Sequence, residues 1–160
     1  MVRLIPMTAQ ESLAFLERND RWYADERVRV GSWDAAEALA LAKAETAQLL
    51  PQGLDTPDQF LRAVYDEARR ERVGEVWYCI QKAHARPEVF VYWVGINEGH
   101  RRRGIATEVL REVETEARKI GAGRILLSTA GDNAPALALY TRLGFHPSSL
   151  TMTKSLGPER

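Results

Sequence analysis

The sequence predicts an α/β (α+β) fold, and three observations on the 160-residue chain carry that expectation. Segments with strand-like and helix-like patterns alternate along it. The run VFVYWVGI, residues 89–96, holds no charged side chain, which predicts a strand covered on both faces at the centre of a sheet. The apolar residues Ile105, Val109, Val113, Ala117 and Ile120 then recur with a helical period. The predicted order is β-α-α-β-β-β-α-β-α-β within one domain spanning residues 1–160, a length that buries roughly 70% of the unfolded surface.

Each element has a local cause. Residues 2–5 form a short apolar-rich strand stopped by Pro6, after which Thr8 and Glu11 stand at capping-box spacing before a helix through Leu13, Leu16 and Trp22. Asp34 and Glu37 repeat that spacing before an Ala/Leu-rich helix expected over residues 35–50, which Pro51 and Gly53 end. Residues 60–66 and 73–80 read as two strands joined by a charged turn. After the strand at 89–96 comes the periodic helix, with Glu114 and Arg118 paired on its polar face and Gly121 at its end. Residues 125–127 open another strand. Asp132 or Asn133 then caps a helix that carries Pro135 in its first turn and stops before Gly144, and a final strand is expected over residues 149–156.

Composition narrows the partners. Lys plus Arg and Asp plus Glu number 22 each, so no overall field draws the chain to nucleic acid or to an anionic membrane, and any anion site has to be local. No run approaches the roughly 20 apolar residues of a membrane helix, and the N-terminus lacks the apolar core of a secretion signal, so the expected location is cytoplasmic. The single cysteine, Cys79, sits in strand-like sequence and reads as a buried apolar group. His84, His100 and His146 show no metal-ligand spacing, so no metal site is expected.

Chemistry concentrates where the strand at 89–96 runs through NEGHRRRGIAT into a helix. The first-turn N–H groups of a helix carry partial positive charge and have no partner inside the helix, so a phosphate placed there gains hydrogen bonds and dipole stabilisation together. Gly104 allows close approach, Ala106 keeps the site open, and Arg101 and Arg103 can add charge-assisted contacts. A nucleotide P-loop is excluded because no Lys-Ser or Lys-Thr follows the glycine, and a dinucleotide fingerprint because the loop holds one glycine.

Arg101, Gly104 and Ala106 satisfy the cofactor-loop pattern of the GCN5-related N-acetyltransferases, written Gln or Arg, any two, Gly, any, then Gly or Ala, and the chain resembles that family. A second match lies in NAPALALYTRLGF, where Asn133, Ala136, Tyr140, Leu143, Gly144 and Phe145 keep the spacing of the family's later helix. The resemblance implies a mixed, mostly antiparallel and splayed sheet flanked by helices. It also implies acetyl-CoA as cofactor, its pantetheine arm in the splay beside Val94, Gly95 and Ile96, with Gly95 a plausible bulge.

On the same resemblance the pyrophosphate rests on amides of Arg102, Arg103, Gly104, Ile105, Ala106 and Thr107, with the three arginines near its oxygens. Tyr140 is then the catalytic acid that protonates the departing CoA thiolate, and Asn133 either caps its helix or bonds the cofactor arm. Many relatives carry a carboxylate base on the central strand, where this chain has Tyr92 and Trp93; a water chain, Asp25, Glu26, Asp66 and Glu67 remain open as substitutes. Trp22, Tyr23 and Trp33 read as core or as an aromatic wall for the acceptor. The implied activity is acetyl transfer to a primary amine of a small molecule or peptide. The alternative is a non-catalytic acyl-CoA sensor, and an exposed end strand leaves a homodimer open.

Overall fold

Thr8 sets the start of the first helix. In the computed structural model, which describes residues 1–83 and 85–157, Thr8 follows strand β1 (Val2–Pro6) and caps α1 (Ala9–Arg29). The Glu11 N–H donates to Thr8 Oγ1 at 3.2 Å, and the Thr8 N–H donates to Glu11 Oε2 at 2.8 Å, so two otherwise unpaired amides are satisfied reciprocally. Thr8→Ala should therefore cost about 1 kcal/mol of stability in urea denaturation with an unchanged m-value.

The second helix, α2 (Ala38–Leu49), begins three residues later than its composition suggests. Asp34 caps a preceding turn, accepting from the Ala36 N–H at 2.8 Å, and the chain enters the helix only after that turn closes. A short 3₁₀ turn, Gly53–Asp55, leads into β2 (Gln59–Asp66), which pairs antiparallel with β1 and with β3 (Glu71–Gln81). β4 (Glu88–Ile96) runs antiparallel to β3, α3 (Ile105–Lys119) follows, and β5 (Arg124–Leu127) lies parallel to β4. The sheet order is β1-β2-β3-β4-β5, so the middle strand is β3, while β4 is flanked on both edges over its first half.

Two apolar clusters cover the two faces of this sheet. On one, Val64, Val76, Val89 and Val91 meet Ile105, Val109, Val113 and Ala117 of α3. On the other, Leu61, Ala63 and Trp77 meet Met7, Phe15 and Leu50 from the α1 and α2 side. The helical stripe predicted from Ile105 is thus the buried face of α3 as far as Ala117, with Val109 and Val113 wholly inaccessible, while Ile120 lies beyond the helix and is exposed.

The β2–β3 turn is held by charge. Asp66 accepts from the Ala68 and Arg69 N–H groups at 2.9 and 3.2 Å and from Arg69 Nη1 at 2.6 Å. The Arg69 guanidinium, helped by those amides, holds the Asp66 carboxyl below the usual carboxylate range. A depressed folded-state pKa adds stability above the unfolded value near 3.9 and loses it as pH falls through the folded value. Asp66→Asn should be less stable than wild type at neutral pH, with the gap narrowing below about pH 4 in paired melts.

By packing, the chain resolves into two compact units, Met1–Ser128 and Thr129–Arg160. The first holds the sheet with α1, α2 and α3. In the second, α4 (Ala134–Arg142) is capped by Asn133, whose Oδ1 accepts from the Ala136 N–H at 3.2 Å, and Gly144 closes it with a φ of +88°. The strand expected over residues 149–156 does not form: the segment has no regular structure, and Leu150, Met152 and Leu156 are 77%, 90% and 88% exposed. Alternating apolar residues specify a strand only where a neighbouring edge supplies the ladder.

Candidate functional site

The sheet opens along β4. Its parallel pairing with β5 runs from Glu88↔Arg124 to Val91↔Leu127, while its antiparallel pairing with β3 continues to Ile96. Among the described residues, positions 92–96 therefore have a partner strand on one side only. The Asn97 N–H donates to Val73 of β3 at 2.8 Å, which turns residue 97 and, by the alternation of an extended chain, Gly95 toward β3. The peptide groups of Val94 and Ile96 then point to the opposite, bare edge.

The bulge lies elsewhere than Gly95. The β3–β4 register shifts between Trp77 and Tyr78, which pair with Trp93 and Val91, so Tyr92 is the extra residue. One added residue brings neighbours onto one face, and Tyr92 and Trp93 both join the cluster on the α1 and α2 side. Gly95 answers a different need: a Cβ there would lie 2.5 Å from Trp93 Nε1, so the indole occupies the volume a side chain would take.

Beyond Ile96 a short 3₁₀ turn, Glu98–His100, leads into the basic loop. Arg102 and Gly104 both adopt left-handed backbone, with φ of +63° and +76°. Left-handed geometry at a non-glycine residue such as Arg102 stores strain, which clusters where a backbone is shaped for a ligand. Gly104 is the N-cap of α3 and provides no side-chain cap, and a Cβ built on it meets nothing within 4 Å. Open space in front of an uncapped helix start is what a bound pyrophosphate requires. Ile105 is buried beneath the loop, Ala106 and Thr107 are partly buried, and Arg102 and Arg103 are exposed.

Arg101 also makes a contact that its charge alone does not suggest. Its Nε–H donates to the Ile96 carbonyl at 2.9 Å, folding the side chain back on the strand end.

The aromatic residues of α1 part company. Tyr23 packs edge-on against Trp33 at 5.3 Å, with the Arg27 guanidinium over both rings, and the two aromatics belong to the packing between α1 and α2. Trp22 remains 46% exposed and meets Trp93 of β4 edge-on at 4.8 Å. Cys79 is buried with its Sγ 3.5 Å from the Tyr92 hydroxyl, and burial raises both the thiol and the phenol above their ordinary ranges, so neither ionises near neutrality.

Of the carboxylates weighed as bases, three have basic partners and the fourth lines a groove. Asp66 holds its turn, Glu26 bonds Arg29 at 2.9 Å, Glu67 lies 3.6 Å from Arg3, and Asp25 lines a groove between α1 and α2 with Arg21 and Arg29. The sequence reading passed over Glu75, which sits across from Gly95 on β3 and accepts from Arg18 at 2.8 Å and Arg72 at 3.1 Å. Among the described residues no three His, Cys, Asp or Glu side chains gather to hold a metal, and His84 lies outside those residues.

In the second unit, Asn133 performs the capping role described above, and Tyr140 stands on α4 with its ring 5.8 Å from that of Phe145 in an edge-on contact. Burial raises the Tyr140 phenol above its ordinary value. It is therefore protonated across the neutral range and can donate.

Comparison with known proteins bears on this arrangement. Residues 18–145 match the profile of the acetyltransferase (GNAT) family. The chain is 31% identical over 155 residues to the uncharacterised N-acetyltransferase YycN of Bacillus subtilis (strain 168), covering 97% of this chain and 99% of that one. The crystal structure of YycN superposes with a TM-score of 0.90 over 98% of this chain and 99% of its own. YdgE, an uncharacterised N-acetyltransferase of the same organism, is 27% identical over 150 residues, 94% of this chain and 95% of that one. An aminoglycoside acetyltransferase from an uncultured soil metagenomic sample shares the fold, with a TM-score of 0.58 at 21% identity and coverage of 98% and 99%.

Proposed function

Because the chain belongs to the acetyltransferase (GNAT) family, we propose that it moves an acetyl group from acetyl-CoA directly to a primary amine of a small molecule or peptide. One observation carries the reading: the bare edge of β4 leads, through a loop with two left-handed residues, to the uncapped start of α3. Acetyl-CoA, when bound, supplies an activated acetyl group.

The chain's own groups then divide the work. Backbone of Val94 and Ile96 reads the amide-bearing arm, and Gly95 keeps that stretch flush with Trp93. Amides from Arg102 to Thr107 hold the pyrophosphate, with Arg102 and Arg103 adding positive charge. As the nitrogen–carbon bond forms and the carbon–sulfur bond breaks, the amine would pass its proton to water, the Tyr140 phenol would deliver its own to the sulfur, and the phenolate would be reprotonated from solvent. Asn133 caps the helix that carries Tyr140 and so fixes its start. The same reading has the enzyme act in the cytoplasm, where acetyl-CoA and reduced thiols coexist.

Release of free thiol from acetyl-CoA that depends on an added primary amine tests the proposal. Tight CoA binding without thiol release across broad amine and peptide panels would overturn it in favour of an acyl-CoA sensor.

A further inference from the structure

The structure assigns Arg101 a positioning role: it ties the anion loop to the open edge of β4 instead of serving as a phosphate ligand. This inference rests on the acetyl-CoA reading of the site. Where β5 ceases to pair with β4, the carbonyl of Ile96 is left on the bare edge without a ladder donor. That carbonyl would otherwise be left to water, and Arg101 Nε donates to it instead at 2.9 Å from five residues downstream. The segment between is pinned on its other side, where the Asn97 N–H donates to Val73 and Asn97 Nδ2 to the Arg72 carbonyl at 3.3 Å.

The consequence falls on the next residues. Arg102 and Gly104 hold left-handed backbone, and at Arg102 that geometry persists only if its surroundings impose it. Anchoring Arg101 at the strand end fixes where this strained loop starts, so the edge and the loop keep one spacing. With the Ile96 carbonyl engaged, the strand offers a ligand arm the Val94 carbonyl and the N–H groups of Val94 and Ile96.

Side-chain length separates this role from a charge role. Glutamine carries its amide N–H₂ the same number of bonds from Cα as arginine carries Nε, so Arg101→Gln keeps the donor and removes the charge. Arg101→Lys keeps the charge and puts a methylene at that position. Arg101→Leu removes both.

The experiment measures CoA affinity by calorimetry and pantetheine affinity by ligand-observed NMR for the three variants, with thermal melts to confirm folding. Arg101→Gln should bind CoA within about twofold of wild type, whereas Arg101→Lys and Arg101→Leu should each lose up to about tenfold, the upper scale of one ordinary hydrogen bond. Pantetheine, which has no pyrophosphate, should lose affinity for Arg101→Leu by a similar factor. If Arg101→Lys retains CoA while Arg101→Gln loses it, or pantetheine binding is untouched by Arg101→Leu, Arg101 is a phosphate ligand and the positioning role is overturned. A wild-type protein that binds neither CoA nor pantetheine overturns the acetyl-CoA reading itself and this role with it. Should Arg101→Leu fail to fold, the opposed Gln and Lys variants still decide.

Discussion

Tyr140→Phe should lower kcat by about 10²–10⁴-fold while leaving CoA affinity within about threefold, because it removes only the group proposed to protonate the leaving sulfur. The phenylalanine ring keeps the edge-on contact with Phe145, so α4 retains its packing. Burial raises the Tyr140 phenol, which sets the sign of the pH dependence. A group that acts in its protonated form and titrates above about 10 imposes no falling limb between pH 7 and 9, and any limb it causes lies higher. Stopped-flow detection of thiol release, across pH and for both proteins, measures the effect. A change in kcat below about threefold would remove Tyr140 from the acid role.

Gly104→Glu should weaken CoA binding on the order of 100-fold, about 2.7 kcal/mol. Two costs combine: a Cβ on backbone with a φ of +76°, and a carboxylate placed where the pyrophosphate is proposed to lie. Gly104→Ala separates them. The space around that Cβ is open, so alanine meets only the backbone penalty, about 1 kcal/mol of stability, and should retain most of the affinity. The glutamate, by contrast, stands at the positive end of α3, which by itself favours the helix. A fall in affinity without a matching fall in Tm beyond that of alanine is the expected signature in calorimetry and melting. Equal CoA affinity for the two variants would place the pyrophosphate elsewhere.

Much of this architecture was legible because its causes are local. The Thr8–Glu11 box, the Asn133 cap and the glycine ends of α3 and α4 each follow from a few adjacent residues, and the structure realises all of them. The loop from Arg101 to Thr107 was legible because a strand, a glycine and an amphipathic helix coincide there. Non-local features were not. Gly95 looks like a bulge residue, yet the shift falls at Tyr92, and what Gly95 accommodates is an indole two residues away. Trp22 and Tyr23 are adjacent in sequence, but successive residues of a helix point about 100° apart, so one reaches β4 and the other the α1–α2 packing. For Arg101 the sequence gives the charge and not the Ile96 carbonyl that its Nε bonds. The terminal strand fails for a related reason, since a strand needs an edge that its own residues do not encode.

The half-paired stretch of β4 also gives the resting enzyme a colloidal liability. The Val94 carbonyl and the N–H groups of Val94 and Ile96 face an edge without a partner strand, and such an edge is a template on which another extended chain can add itself. If the amide-bearing arm of CoA lies there, it serves as a removable surrogate strand. Occupancy then protects the folded state by mass action, gaining about 2.7 kcal/mol when ligand stands at 100 times its Kd. Resistance to aggregation should accordingly rise when CoA is added.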